Sequence, residues 1–144
     1  MSTAKYHAFG TKFQIKDTTW KTVAHVADIS GPGFSADTED VTTHDSTDAW
    51  NEFLKGTKDA GEITFELIWD PADTDSQKAV LDAVSTDPDD DPEEIRVVFP
   101  SATPTTWEFK GFITGFEAAA PVKGRLSANV TVKLTGKPNF SPTV

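Results

Sequence analysis

With 144 residues the chain has the size of a single domain able to bury a core of its own, and it is read as one domain over residues 1–144. Its formal charge of −10 argues against a binder of phosphate backbones, which relies on clustered Lys and Arg. It contains no cysteine, which excludes a disulfide framework, a thiolate metal centre and a cysteine nucleophile.

The hydrophobic fraction is a modest 37%, so the 10 Phe and 4 Trp must supply much of the buried area. Met1 to His7 has no apolar signal region, and no stretch approaches the roughly 18 apolar residues of a membrane span. The chain is therefore expected to be made and kept in the cytosol, away from membranes.

In chain order, apolar and polar residues two apart predict strands at Phe13–Lys16 and Thr22–Ile29. Gly31-Pro32-Gly33 follows, punctuating the chain between two strands as a turn or loop. Asp37–Thr43 is polar on both faces and reads either as a strand that pairs outside its own domain or as a polar loop. From His44 to Gly61 runs a long connection between strands, and Trp50, Phe53 and Leu54 inside it need something to pack against. A short helical turn fits Asp48–Leu54.

The clearest alternation follows. From Gly61 to Trp69, Ile63, Phe65 and Leu67 oppose Glu62, Thr64 and Glu66. After Asp70-Pro71, a helix is predicted over Thr74–Ser85, with Thr74 and Gln77 spaced as a capping box and Gln77, Val80, Leu81 and Val84 as its inward stripe. Residues 87–94 read as a solvated acidic loop stiffened by Pro88 and Pro92, lacking the glycine and spacing of a calcium loop. Between Asp70 and Glu94 ten acidic residues face Lys78 alone, which leaves the rest of the chain close to neutral.

Strands resume at Ile95–Phe99 and at Thr106–Phe116, where Gly111 and Gly115 suggest bulges. Arg125–Thr135 alternates again, with Leu126, Ala128, Val130, Val132 and Leu134 on one face. Residues 136–144 read as an extended tail. The predicted fold is mainly β with one flanking helix, a β-sandwich or barrel.

Nothing in this pattern carries chemistry. His7, His25 and His44 stand far apart, without metal-ligand spacing. Glu62 and Glu66 lie four apart on one strand, too far for a close carboxylate dyad, and no nucleophile elbow, phosphate-cradling loop or dinucleotide fingerprint occurs. No enzyme activity, cofactor or metal is expected.

The order of five segments resembles one family. They are Gly10-Thr11-Lys12-Phe13; Ile29-Ser30-Gly31-Pro32-Gly33 followed by Asp37 to His44; Lys58-Asp59-Ala60-Gly61-Glu62 leading to Trp69-Asp70-Pro71; Thr106 to Ile113; and Leu134-Thr135-Gly136-Lys137-Pro138. Together they span nearly the whole chain and resemble the major tail tube proteins of siphophages, in the core form without an added C-terminal immunoglobulin-like domain.

The resemblance implies a sandwich or barrel of the phage tail tube type, assembled as homo-hexameric rings stacked into a tube whose lumen conducts the genome. It implies a place in the virion tail after assembly in the host cytoplasm, with a tail assembly chaperone, tape measure, tail tip and terminator as partners. DNA would pass without specific binding. It also places subunit and ring contacts at the long connection and the polar strand before it. That makes Asp37, Glu39, Asp45, Trp50, Phe53, Leu54, Lys58 and Asp59 interface candidates, the rings either anchoring a neighbour or covering their own sandwich. Glu62, Thr64 and Glu66 are the lumen-facing candidates. The rivals are a related tube or connector protein, such as a type VI secretion-like tube or tail terminator, and a monomeric carbohydrate-binding module that presents Trp20 or Trp107. A hydrolase is the remaining reading.

Overall fold

The computed structural model describes residues 8–16, 19–85, 90–100 and 104–140. Seven antiparallel strands form one sheet in the order β2-β1-β7-β8-β9-β6-β3, and β4 and β5 form a separate two-stranded ribbon. The strands are β1 Lys12–Lys16, β2 Trp20–Thr22, β3 Val26–Ser30, β4 Ser35–Asp40, β5 Phe53–Asp59, β6 Glu62–Ile68, β7 Glu93–Phe99, β8 Thr105–Ala119 and β9 Ser127–Asn139, and the helix is α1 Ser76–Val84.

The sheet curls until it nearly closes. β1 and β6 are separated by β7, β8 and β9 in the strand order, yet the rings of Phe13 and Phe65 lie 4.4 Å apart by centroid. The two edge strands, β2 and β3, are consecutive in the chain and joined by Val23, Ala24 and His25. That link bonds to both sides of the seam: Val23 N–H donates to Phe13 O at 2.9 Å, and Ile68 N–H donates to His25 O at 2.9 Å. His25 takes a left-handed φ of 58° to make the crossing.

Strict alternation builds the core. Phe13 and Ile15 on β1, Ile63, Phe65 and Leu67 on β6, Ile95 and Val97 on β7, and Ala128, Val130, Val132 and Leu134 on β9 are all buried, each large side chain contributing about 1.5–3 kcal/mol by leaving water. The predicted alternation of residues 61–69 and 125–135 coincides with β6 and β9, although β9 continues to Asn139 into the stretch expected as a tail. The glycine-interrupted strand is longer than expected, Thr105–Ala119, with register shifts at Glu108/Lys110 and Ile113/Gly115. Thr22–Ile29 divides into β2 and β3 at the seam. Of the acidic loop, residues 86–89 lie outside the described residues, while Glu93 and Glu94 belong to β7.

The helix differs in how it begins and which way it faces. Thr74 forms no cap. Asp73 does that work, its Oδ1 accepting the N–H of Asp75 at 2.9 Å and of Ser76 at 3.1 Å, so these bonds hold its carboxyl below the usual carboxylate range, the Asp75 N–H foremost. Gln77 is not a capping partner but is almost wholly buried, at 1% exposure. Its Nε2 donates to Ala24 O at 2.8 Å and Ile68 O at 3.1 Å, and its Oε1 accepts the Asp70 N–H at 2.8 Å. Ser76 Oγ accepts the Ala24 N–H at 3.1 Å. Orienting Gln77 inward turns the buried face to Ser76, Gln77, Val80 and Ala83. Leu81 and Val84, expected inside, are exposed at 38% and 39%.

Gln77→Leu should lower stability by at least about 2 kcal/mol, because two buried carbonyls and one N–H at the seam lose their partner; a urea midpoint equal to wild type would contradict this. Asp73→Ala should cost about 1 kcal/mol through loss of the helix cap. Because the folded pKa of Asp73 is depressed, its contribution is present above the unfolded carboxylate value near ~3.9 and fades as pH falls through the folded value. The difference between wild type and Asp73→Ala should therefore shrink on acidification, as read by thermal melts from pH 7 downward.

Candidate subunit interface

The β4–β5 ribbon leaves the barrel where two segments of backbone cross. Gly31 (φ +92°) and Gly61 (φ +78°) both occupy the left-handed region, and their neighbours press on them: a Cβ on Gly31 would lie 2.2 Å from Glu62 O, and one on Gly61 would lie 2.5 Å from Gly33 O. Only glycine satisfies both demands. Asp59 Oδ1 accepts the Gly61 N–H at 2.9 Å and Leu134 N–H donates to Gly61 O at 3.1 Å, which fix the turn from β5 into β6.

Beyond this crossing the chain forms an arm. Ser35 pairs with Asp59, Thr38 with Lys55, Glu39 with Leu54 and Asp40 with Phe53. At its far end Val41 N–H donates to Glu52 O at 2.9 Å, Glu52 N–H donates to Thr42 Oγ1 at 2.7 Å, and Ser46 Oγ donates to Glu52 Oε2 at 3.0 Å. Thr47–Ala49 makes one short 3-10 turn at the tip. The Thr42 N–H lowers the Asp40 pKa below its ordinary value by bonding to the carboxylate.

The connection expected to be a loop over 44–61 contains a strand over Phe53–Asp59, and in place of the helical turn expected at Asp48–Leu54 there is a 3-10 turn over Thr47–Ala49. Of the two readings of Asp37–Thr43, the strand is the one formed, over Ser35–Asp40.

Every residue of β4 and β5 is exposed. Trp50, Phe53 and Leu54 are 73%, 57% and 61% exposed, so these side chains do not cover the barrel. Asp37, Glu39, Asp45, Lys58 and Asp59 lie on the same arm. Phe53 and Leu54 are successive strand residues and point to opposite faces, which gives the ribbon an uncovered apolar side chain on each face. Asp37, Glu39, Asp40, Asp45, Asp48 and Glu52 have no ion-pair partner among the described residues.

At the base of the arm an open groove of about 710 Å³ runs between the ribbon and the end of β9, lined by Phe34, Ala36, Lys55, Lys58, Pro138 and Phe140 among others. Phe34 meets Phe140 edge-to-face at a centroid distance of 5.3 Å and Trp107 at a tilt at 5.8 Å, and Trp107 meets Phe99 edge-to-face at 4.9 Å. These rings close that end of the barrel. Sequence reasoning passed over Phe34 and Phe140, which alternate with nothing and sit beside turns.

Glu62, Thr64 and Glu66 share the outward face of β6, with Lys133, Thr131 and Asn129 opposite them on β9. Glu66 Oε1 accepts from Arg125 Nη2 at 3.1 Å. The face is polar and mixed in sign.

The rings of the carbohydrate reading are both engaged. Arg96 lies over Trp20, 4.1 Å from its centroid, and Trp107 sits inside the aromatic cluster. Among the described residues no group of three or more His, Cys, Asp or Glu gathers to hold a metal, and no helix is long and apolar enough to cross a membrane; His7 lies outside the described residues.

This fold is shared with proteins of assembled tails and tubes. The tail of an empty gene transfer agent particle, determined with helical refinement and C6 symmetry, matches with a TM-score of 0.73 at 21% identity over 96% of this chain and 100% of that one. The sheath/tube terminator of an extracellular contractile injection system matches with a TM-score of 0.74 at 13% identity, covering 96% and 98%. The SPP1 tail tube matches with a TM-score of 0.61 at 12% identity, covering 91% and 77%. Comparison with curated protein sequences returns no match. Residues 4–141 match the family described as lambda phage tail tube protein. The chain belongs to that family, and its role is that of a structural protein of the phage tail tube.

Gly31→Ala and Gly61→Ala should each destabilise the protein by more than 1 kcal/mol, through positive φ and backbone overlap together. Gly33→Ala, where an added Cβ meets nothing within 4 Å, should be nearly neutral. Thermal melts of the three variants give the ranking, and equal melting temperatures for all three would refute it.

Proposed function

We propose that the chain is the major subunit of a tube of stacked homo-hexameric rings, whose lumen conducts the genome during ejection. The observation that carries this is the arm. A two-stranded ribbon is marginal in water by itself, and this one holds Trp50, Phe53 and Leu54 out from the body at more than half exposure. Aromatic side chains such as Trp50 are prominent among those that dominate protein interfaces. Asp37, Glu39, Asp45, Lys58 and Asp59 flank them as the polar rim of that contact.

In this reading Glu62, Thr64 and Glu66 face the lumen. A wall in which carboxylates alternate with Lys133 and Arg125 offers no continuous basic track, so DNA slides without being held. The subunit has no catalytic role and requires no cofactor. Its partners are further copies of itself, with the assembly chaperone, tape measure, tail tip and terminator at the stages that start, measure and end the tube. It assembles in the host cytoplasm and resides in the virion tail.

Size exclusion and negative-stain imaging of the purified chain at rising concentration should give rings and tubes. Trp50→Ala should retain the wild-type circular dichroism and melting temperature while raising the concentration needed for assembly roughly thirtyfold, the equivalent of about 2 kcal/mol at an interface hot spot. A chain that remains monomeric throughout, or a Trp50→Ala variant that assembles as readily as wild type, would count against the proposal.

A further inference from the structure

The strand register places a second uncovered apolar surface at the end of the barrel opposite the arm. β6 starts beside the arm at Glu62, paired with Lys133, and ends at Ile68, paired with Ser127; Ser127 in turn pairs with Ala119 at the end of β8. The turn joining β8 to β9 therefore lies one strand length from the base of the arm, roughly 20 Å at 3.3 Å per residue. The arm extends further the other way, since Ala36 and Lys55 line the groove beside Lys137 and Pro138, past the point where β9 leaves β6.

The last residues of β8, Ala118 and Ala119, and the turn residues Ala120, Pro121 and Val122 that follow are all exposed, Val122 completely, at 102%. Successive apolar residues at a hairpin tip have no role in the fold that displays them, because water would be met as well by polar ones. Beside them Lys123 has no ion-pair partner among the described residues, while Arg125 is already paired with Glu66. The arm carries the complement: three exposed apolar side chains, and six carboxylates without an ion-pair partner among the described residues against two lysines, Lys55 and Lys58.

We propose that the β8–β9 tip is the acceptor for the arm of a second copy of this chain in the adjoining ring, Val122 and its neighbours packing on Trp50 and Phe53 while Lys123 meets the carboxylates of the arm. The inference rests on the tube reading and adds to it a named partner surface. Donor and acceptor lie at opposite ends of one subunit, so the contact is heterologous and repeats without closing. Within a single chain the two surfaces cannot meet, because the length of the barrel separates them.

A chain without cysteine allows a direct test. Four double variants combine Trp50→Cys or Phe53→Cys with Ala120→Cys or Val122→Cys. After mild oxidation of the concentrated protein, at least one should run on non-reducing gels as a ladder extending beyond the dimer. The single-cysteine variants should stop at the dimer, and the ladder should collapse on reduction. Tubes on the grid with no ladder from any of the four would overturn this contact and leave the tube reading intact, as would cross-linking confined to dimers. Neither tubes nor ladder at the highest concentration would overturn both.

Discussion

The carboxamide of Gln77 occupies the position on which the rest of the barrel depends. A seven-stranded sheet that curls far enough to bring β1 against β6 must do something with its two edges, whose unpaired backbone groups are costly when buried and hazardous when exposed. Here the edges are consecutive strands, so the chain crosses the seam in three residues and each side takes one backbone bond from the crossing. Ala24 in the middle of that crossing would be left with a free N–H and a free carbonyl. Ser76 and Gln77 take both, and Gln77 also gathers the last carbonyl of β6 and the N–H of Asp70. One polar side chain thus joins the seam, the end of a central strand and the first turn of the helix. A buried amide with every bond made is specific in a way that an apolar side chain is not, because few other arrangements satisfy it.

The fold divides its work between a body and an arm. The body closes its own needs: its strands alternate, its inner face is apolar, and aromatic rings stop the end beneath the arm. The arm closes almost none of its own. It is anchored through Gly31 and Gly61, where only glycine allows the backbones to cross, and past that point it holds itself by ladder bonds and a few polar contacts at the tip. The rigid anchor and the uncovered ribbon belong together, since a surface meant for a partner is useful only if the body aims it.

How much of this could be read beforehand follows from which physical rule governs each element. β6 and β9 were legible to within a few residues because one face is buried and the other wet, which is the condition that writes a period of two into a strand. The helix was legible in existence and in half of its inward face, since Gln77 and Val80 are buried while Leu81 and Val84 are not. Gln77 is expected both as a cap and on the inward stripe, and only the second holds; the three backbone groups it meets there belong to Ala24, Ile68 and Asp70, the first of them far away in sequence. The second half of the arm reads as a loop for a related reason: a ribbon with both faces exposed has no buried side to impose alternation, so β5 looks irregular, and β4 stays open between strand and polar loop. Its aromatic residues still marked it as a place where something packs. Ala118 to Val122, an apolar run between two strands, was visible in the sequence but had no assigned end of the molecule until the register supplied one.

Charge shows the same limit. Counted along the chain, acidity concentrates between Asp70 and Glu94, and the rest nearly balances. In three dimensions that balance is uneven, for the arm has two lysines of its own, Lys55 and Lys58, while six of its carboxylates stand without an ion-pair partner among the described residues. The arm is therefore acidic as well as apolar, and on both faces at once. A twofold dimer through one face would leave the other uncovered and would bring carboxylates against their own copies, a like-charge cost that grows as the pair is desolvated. Relief requires a different surface, apolar and carrying cations, and a subunit that bears both donor and acceptor at opposite ends propagates whatever contact they make.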